Sequence, residues 1–192
     1  MKRSLIFVLK TLLFIISFIC AVWYFMPWRE AGKFIMSAAH SRLERSGTRV
    51  SYSDISREAD GFTVHNLTIN GMVNFKFSSI TLRPRPAQSL MNLAPVCEVS
   101  FRGGSVQLGQ VLNIGDGGVT VIAGRSEVML EDLRTNGEFG LNGWLTINTQ
   151  SMRIGRADAR LNVPESFAQN MSLLRNFLPL VQEGNRWYLR RN

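Results

Sequence analysis

Residues 61–82, GFTVHNLTINGMVNFKFSSITL, decide the fold that the sequence predicts. At their centre, Asn70-Gly71 is the dipeptide most typical of a tight β-hairpin turn, because both residues accept positive φ angles at little cost. The flanking residues 62–69 and 72–82 are rich in β-branched and aromatic side chains, which predicts two antiparallel strands. The chain is therefore expected to be built from β-hairpins.

The second of these strands changes phase near its middle. Its apolar residues keep a period of two up to Phe77 and resume it one residue out of step at Ile80. An extra residue in one strand produces such a shift, so the sequence predicts a β-bulge at Ser78-Ser79.

The period of two begins at Thr48 and continues to Val163, which predicts about nine short strands in an antiparallel sheet. A short helical turn is expected at residues 86–93, and the glycines of residues 115–118 predict a further turn. One face of the sheet should be apolar. The side chains expected there, as a groove or as a core, are Val73, Phe75, Phe77, Val99, Phe101, Leu141, Leu145 and, from the helix that follows the sheet, Leu174.

That following helix begins with a capping box, Ser166 and Gln169, and its apolar side chains recur at helical spacing until Pro179 ends it. Residues 186–190 predict a final edge strand. The helix is expected to cover one end or edge of the sheet. Two alternatives stay open for the apolar face: a core that this helix closes, or a groove that it only lids.

Residues 4–26, SLIFVLKTLLFIISFICAVWYFM, are apolar apart from Lys10 and a few hydroxyl groups. Such a length is enough for a helix to cross a hydrocarbon core of roughly 30 Å. Basic residues favour the cytoplasmic side and aromatic residues the interface, so the N-terminus should be cytoplasmic and the remainder exported. A signal peptide cleaved near Ala21 is the alternative. The residues assigned to the membrane anchor are Lys2, Arg3, Lys10, Trp23, Tyr24 and Trp28.

Three regions follow from these patterns. Residues 1–27 comprise the cytoplasmic N-terminus and the anchor, which Pro27 should end. Residues 28–47 contain a juxtamembrane helix that stops at Gly47. Residues 48–192 form a periplasmic β-rich domain with its C-terminal helix and edge strand. The expected location is therefore the bacterial inner membrane, crossed once.

The chain has 192 residues and a formal net charge of +8, with dispersed arginines. An exported domain does not meet nucleic acid. The basic residues are therefore expected either to be scattered and solvated or to face anionic lipid head groups. Cys20 lies in the predicted anchor and Cys97 in the exported part, so no disulfide is expected between them. Cys97 is interpreted as a small buried apolar residue.

No motif for nucleophilic, phosphate-binding or zinc chemistry is present. His40 and His65 have no other metal-ligand types at suitable spacing, and they are interpreted as structural. The neighbouring acidic residues Glu131 and Asp132 should point to opposite faces of a strand, which makes them poor acid–base partners. No catalytic residue, metal or cofactor is predicted, and the protein is expected not to be an enzyme.

Several phrases after Pro27 resemble the type II secretion system protein N family and, more loosely, the AsmA-like envelope proteins. They are residues 61–70 (GFTVHNLTIN), 77–84 (FSSITLRP), 92–95 (NLAP), 99–108 (VSFRGGSVQL), 141–147 (LNGWLTI), 159–166 (ARLNVPES), 176–180 (NFLPL) and 184–189 (GNRWYL).

The resemblance implies a single-pass inner-membrane protein with a periplasmic β-domain that assists protein secretion. It also implies a curved antiparallel sheet, an open taco or half-barrel, with an apolar concave face. Two functions follow as hypotheses. In the first, the protein contacts other secretion-system subunits during assembly. In the second, the concave face holds the acyl chains of phospholipid.

Overall fold

The structure is a computed structural model that describes residues 2–45, 47–71, 73–108, 110–151, 153–164, 167, 171, 179–183 and 186–191. Among the elements whose bounds the described residues define, helices precede and interrupt a set of strands. The helices are α1 (Lys2–Phe25), α2 (Trp28–Glu44) and α3 (Pro86–Asn92). The strands are β1 (Arg49–Ser51), β2 (Asp54–Glu58), β3 (Gly61–Asn70), β4 (Asn74–Pro84), β5 (Val96–Leu108), β6 (Gln110–Ala123), β7 (Glu127–Thr135), β8 (Gly140–Asn148), β9 (Ile154–Asn162), β10 (Leu180–Glu183) and β11 (Arg186–Arg191).

All the described strands belong to one sheet of eleven, in the order β1-β3-β4-β5-β6-β7-β8-β9-β11-β10, with β2 also paired to β3. Every pairing is antiparallel. The prediction of a mainly β, antiparallel fold is confirmed. The prediction of an edge strand at residues 186–190 is wrong, because β11 pairs with β9 on one side and with β10 on the other. The sheet is open and not strongly curled, so the expectation of a taco or half-barrel is not met in that form.

Residues 115–118 were predicted to form a turn, but they lie inside β6. The reason is that β5 and β6 are long strands that pair over almost their whole length. Gly115 has φ +74°, a conformation that favours glycine, and it lies at a register shift against Gly104. The glycines therefore permit an irregularity within a continuous strand pair instead of reversing the chain.

The predicted bulge at Ser78-Ser79 is wrong as a register shift, because β4 keeps one register with both of its neighbours. By that register Ser78 lies opposite Asn66 in β3 and Gly103 in β5, which have φ angles of +51° and +59°. The change of phase is thus shared by three neighbouring strands, at Asn66 in β3, Ser78 in β4 and Gly103 in β5. Phe62 and Leu67, on either side of it in β3, still join the same apolar cluster.

The described residues form two apolar cores on the sheet. The first, here called the α2 core, packs α2 residues Trp28 and Met36 against β1, β2 and β3. Helix and sheet approach closely at Gly32, where an added Cβ would lie 2.7 Å from the Phe62 ring. The sheet residues buried in the α2 core are Val50, Ile55, Phe62, Val64 and Leu67.

The second, here called the C-terminal core, gathers residues of strands β5 to β11 around Phe167 and Met171. Both belong to the predicted C-terminal helix, and both are buried, with the Phe167 ring in edge contact with Phe139 at 6.2 Å. Leu174 lies outside the described residues. The strand residues buried in the C-terminal core are Val106, Leu112, Leu145, Ala157, Ala159, Leu161, Leu180 and Leu189.

The N-terminal helix α1 spans 24 residues. Within the part of the chain that the structure describes, no helix has the combined length and apolar character needed to cross a membrane.

Candidate functional site

Five of the predicted apolar residues lie in or against one of the two cores. Phe75 packs on the C-terminal core and Phe77 on the α2 core, and their rings stack with centroids 6.5 Å apart. Phe101 meets Phe77 in an edge contact at 5.4 Å. Of the other predicted residues, Leu145 is buried in the C-terminal core, and Val73 and Leu141 pack against it.

Between the cores lies a strip of half-buried apolar side chains on the central strands. Val99 pairs with Leu82 on one side and with Val119 on the other, so all three project from the same face. Val99, Phe101, Val119 and Val121 belong to neither core as the described residues define them. These four residues are called the central apolar strip.

The residues assigned to the membrane anchor separate into two groups. Trp28 is only 3% exposed and lies in the α2 core, since Pro27 turns the chain and α2 then lies across the sheet. Trp23 packs edge-on against it, with ring centroids 4.7 Å apart. Tyr24 is exposed, and its carbonyl oxygen accepts a hydrogen bond from Arg57 Nη2 at 2.8 Å.

The prediction that Trp28 lies at the membrane interface was based on its residue type, and it is wrong. Trp28 fills the space between α2 and the sheet. Lys10 is exposed on α1, and Lys2 and Arg3 lie in the first turn of that helix. The anchor role of these three residues, of Trp23 and of Tyr24 stays a prediction.

A site that the sequence did not predict lies on β7 and β8. Leu130 pairs with Leu145 and Leu133 with Gly143, so Glu131 and Asp132 together oppose a single residue, Trp144. This is a β-bulge, and Asp132 adopts φ +50° in it. Bulges redirect side chains, which explains why these neighbouring carboxylates line one pocket instead of pointing to opposite faces as expected.

The pocket at this bulge, called the Trp144 pocket, has a volume of about 670 Å³. Trp144 is 37% exposed in it. Arg134 Nη2 lies 3.7 Å from Asp132 Oδ1, and Arg156 Nη2 lies 3.9 Å from Glu127 Oε1. All four charged groups are largely exposed, so these pairs hold the arginines only weakly.

Two residues or patterns in the sequence, a break in apolar period and a glycine, can be connected with this pocket once the structure is known. The apolar period of β7 breaks between Leu130 and Leu133, as a bulge requires. Gly143 has φ +145°, and a Cβ there would lie 2.6 Å from Ala159 Cα. The close approach of β8 and β9 therefore requires glycine at this position.

A cluster of ion pairs holds the start of α3. Arg83 Nε lies 3.2 Å from Asp60 Oδ1, and Arg85 Nη1 lies 3.6 Å from Asp60 Oδ2. Arg85 also donates to Glu98 through Nε at 2.9 Å and through Nη2. The hydrogen bond to Glu98 is the main reason that the pKa of Arg85 is raised. Both guanidinium groups are thus neutralised locally.

The remaining candidates for chemistry have structural partners. His65 Nε2 lies 2.8 Å from Ser56 Oγ, and His40 Nε2 lies 3.0 Å from Glu44 Oε1. Burial raises the pKa of the Cys97 thiol, which keeps it protonated and poorly nucleophilic at neutral pH. Across the described residues, no three of His, Cys, Asp and Glu gather as metal ligands would.

The architecture is that of a mainly β protein: one large, open antiparallel sheet behind an N-terminal helical segment. Over residues 5–191 the chain matches the family described as "Type II secretion system protein GspN-like, Synergistales", and it belongs to that family. The family resemblance predicted from the sequence is confirmed. Membership implies a component of a type II secretion system in the cell envelope. No curated protein and no solved structure matches the chain.

Proposed function

We propose that the protein is a non-enzymatic component of the type II secretion apparatus that acts through protein–protein contacts during assembly. Residues 4–26 anchor it in the inner membrane, with the N-terminus in the cytoplasm and the sheet in the periplasm. The support for the anchor is the apolar sequence of residues 4–26 and the basic residues before it.

The observation that carries the contact function is the Trp144 pocket. Tryptophan, arginine and methionine are enriched where protein partners bind, and here Trp144, Arg134, Arg156 and Met129 line one concave surface. A half-exposed tryptophan beside a strained bulge contributes little to the two cores. The partner is proposed to be a segment of another secretion-system subunit that inserts an apolar side chain beside the Trp144 ring.

Replacing Trp144 with alanine in the full chain tests this proposal. Tyr52 is a matched control, because it is an aromatic residue of similar exposure, 39%, away from the pocket. Each tagged variant is expressed in its own host, cross-linked in the cells and purified, and the bound secretion subunits are quantified by mass spectrometry. Trp144→Ala should lose subunits that Tyr52→Ala retains, at unchanged melting temperature. Equal recovery from both variants would refute the pocket as the contact site.

The central apolar strip favours a second candidate function, in which the sheet holds acyl chains as AsmA-like modules do. Val99, Phe101, Val119 and Val121 are half-buried and lie outside both described cores. A lipid chain on them would remove apolar surface from water, at about 25 cal/mol per Å². Native mass spectrometry of the detergent-extracted protein separates the two candidates. Phospholipid that is lost in Phe101→Gln but kept in Trp144→Ala would favour the lipid function.

A further inference from the structure

Helix α3 and the residue after it expose more apolar surface than folding explains. No residue of α3 is buried, and Leu90, Met91 and Leu93 are 77%, 85% and 92% exposed. Three large apolar side chains in four residues, all facing solvent, form a patch of the kind that marks an interaction site. They are called the α3 tip.

The α3 tip lies beside the end of α1. Trp23, the predicted interfacial residue of the anchor, shares an apolar depression of about 630 Å³ with Pro86, Leu90 and Leu93. Trp23 is itself fixed by its contact with Trp28 in the α2 core. The α3 tip therefore has a defined place next to the point where the proposed anchor leaves the bilayer.

The segment that carries the α3 tip is uncharged. Residues 86–97, PAQSLMNLAPVC, contain no acidic, basic or histidine side chain, in a chain with a net charge of +8. The nearest arginines, Arg83 and Arg85, are paired with Asp60 and Glu98. Charge is what makes insertion of a segment into a membrane interface costly, and this segment has none to desolvate.

Leu93 adds backbone strain to its exposure. Its φ and ψ angles are +50° and +31°, the left-handed conformation, which is uncommon for a bulky residue and costs roughly 1–2 kcal/mol. Glycine or asparagine is the usual residue at such a helix end. A leucine that is both strained and exposed is not required by the fold, so its apolar side chain is explained by a contact outside the protein.

We propose that the α3 tip is a second membrane contact, in which Leu90, Met91 and Leu93 enter the periplasmic face of the same phospholipid bilayer that α1 crosses. This inference rests on the proposed anchor. Shallow apolar insertions of this kind lie roughly 5–10 Å into the boundary between head groups and acyl chains. With Trp23 they would hold the sheet in one orientation on the membrane.

The test uses the full chain in phosphatidylethanolamine–phosphatidylglycerol vesicles, with Cys20→Ser and Cys97→Ala and one new cysteine that carries an environment-sensitive nitrobenzoxadiazole dye. The labelled positions are Leu93, the control Gln88 on α3, the distant exposed loop residue Glu138, and Phe14 within α1. The dye at Leu93 should shift to the blue and brighten several-fold on reconstitution. At Glu138 it should show neither change.

The label at Phe14 separates the two proposals. A membrane signal at Phe14 with a water-like signal at Leu93 would overturn the α3 contact and leave the anchor standing. A water-like signal at Phe14, with protein that carbonate washes off the vesicles, would overturn the anchor and with it this inference. Equal membrane signals at Leu93 and Glu138 would also refute a specific contact.

Leu93→Asn, with both native cysteines present, gives a second readout. Asparagine accepts the left-handed conformation, so a purely structural role predicts an unchanged or higher melting temperature and no other effect. In nanodiscs, the backbone amides of residues 88–93 should exchange hydrogen several-fold faster in Leu93→Asn than in the wild type. Identical exchange in the two proteins would contradict the inference.

Discussion

Two tryptophans show what this sheet does with large aromatic residues. Trp28 is 3% exposed and joins α2 to β1–β3, whereas Trp144 is 37% exposed on a bulge of β7 and β8. Packing explains the first, but it does not explain the second, because a protein that needed only stability would neither expose Trp144 nor hold Asp132 at φ +50° beside it. Burial marks the residues that build the fold, and exposure combined with strain marks candidates for function.

The largest expected effect comes from removing each tryptophan in turn. Trp28→Ala should lower the free energy of unfolding by roughly 3–5 kcal/mol, because it leaves a large cavity in the α2 core. Trp144→Ala should lower it by less than about 1 kcal/mol. Urea unfolding of the full chain in detergent measures both. Similar losses at the two positions would break the contrast.

Trp28→Phe sharpens the same comparison. Trp28 Nε1 is buried and finds no hydrogen-bond partner among the described residues, and an unsatisfied buried donor costs about 1–3 kcal/mol. Phenylalanine keeps most of the ring contact and removes this donor, so its loss should be far smaller than that of alanine.

The second prediction extends the comparison to the middle of the sheet. Phe77→Asp should cost about 3 kcal/mol, since the new carboxylate would lie between Phe75 and Phe101 with no partner. Lys76→Asp, at the exposed neighbouring position, should change stability by less than about 0.5 kcal/mol. Equal changes in melting temperature would mean that Phe77 and Lys76 do not project from opposite faces of the sheet, against the register of β4.

The parts of the fold that were predicted correctly depend on local periodicity. The hairpin near Asn70-Gly71 and the helix from about residue 29 follow from turn residues and apolar spacing, and they appear as β3–β4 and α2. The connection is longer than the tight turn expected, since β3 ends at Asn70 and β4 begins at Asn74. The burial of Trp28 could not be predicted in this way, since residue type alone does not distinguish a membrane interface from a helix–sheet core.

The Trp144 pocket was missed for a related reason. Glu131 and Asp132 were predicted to point to opposite faces, as side chains do in a regular strand. That alternation fails where one strand has an extra residue. The bulge depends on pairing between β7 and β8, which is a tertiary property. The same holds for the change of phase at Ser78, which depends on Asn66 and Gly103 in neighbouring strands.

The third prediction concerns the strain at the bulge. Asp132→Val should destabilise by about 1–2 kcal/mol, because a β-branched residue adopts a left-handed conformation poorly. Asp132→Gly should be neutral or stabilising by less than about 1 kcal/mol, as glycine accepts that conformation. Thermal unfolding of the two variants measures the difference. If valine were as stable as glycine, the backbone at residue 132 would not be left-handed in solution, and the contrast between a strained Trp144 site and a relaxed α2 core would fail.

The smallest expected effect concerns the charge that fastens α2 to the sheet. Arg29 Nε donates to the carbonyl oxygen of Ile55 at 3.1 Å, and Arg29 Nη2 lies 3.5 Å from Asp54 Oδ1. The pKa of Asp54 is lowered, first by the hydrogen bond from the Ile55 backbone amide and further by the charge of Arg29. A lowered pKa means that the folded state favours the ionised carboxylate, so its contribution to stability is present above the pKa of the unfolded chain, about 3.9, and is lost as the pH falls through the folded value.

Asp54→Asn should therefore flatten the acid side of the stability profile slightly, while Trp144→Ala, which removes no titrating group, should keep the wild-type slope. Urea midpoints measured between neutral and acidic pH compare the two variants. An unchanged slope in Asp54→Asn would show that neither the Ile55 amide nor Arg29 stabilises the ionised Asp54 carboxylate in the folded state more than solvent does.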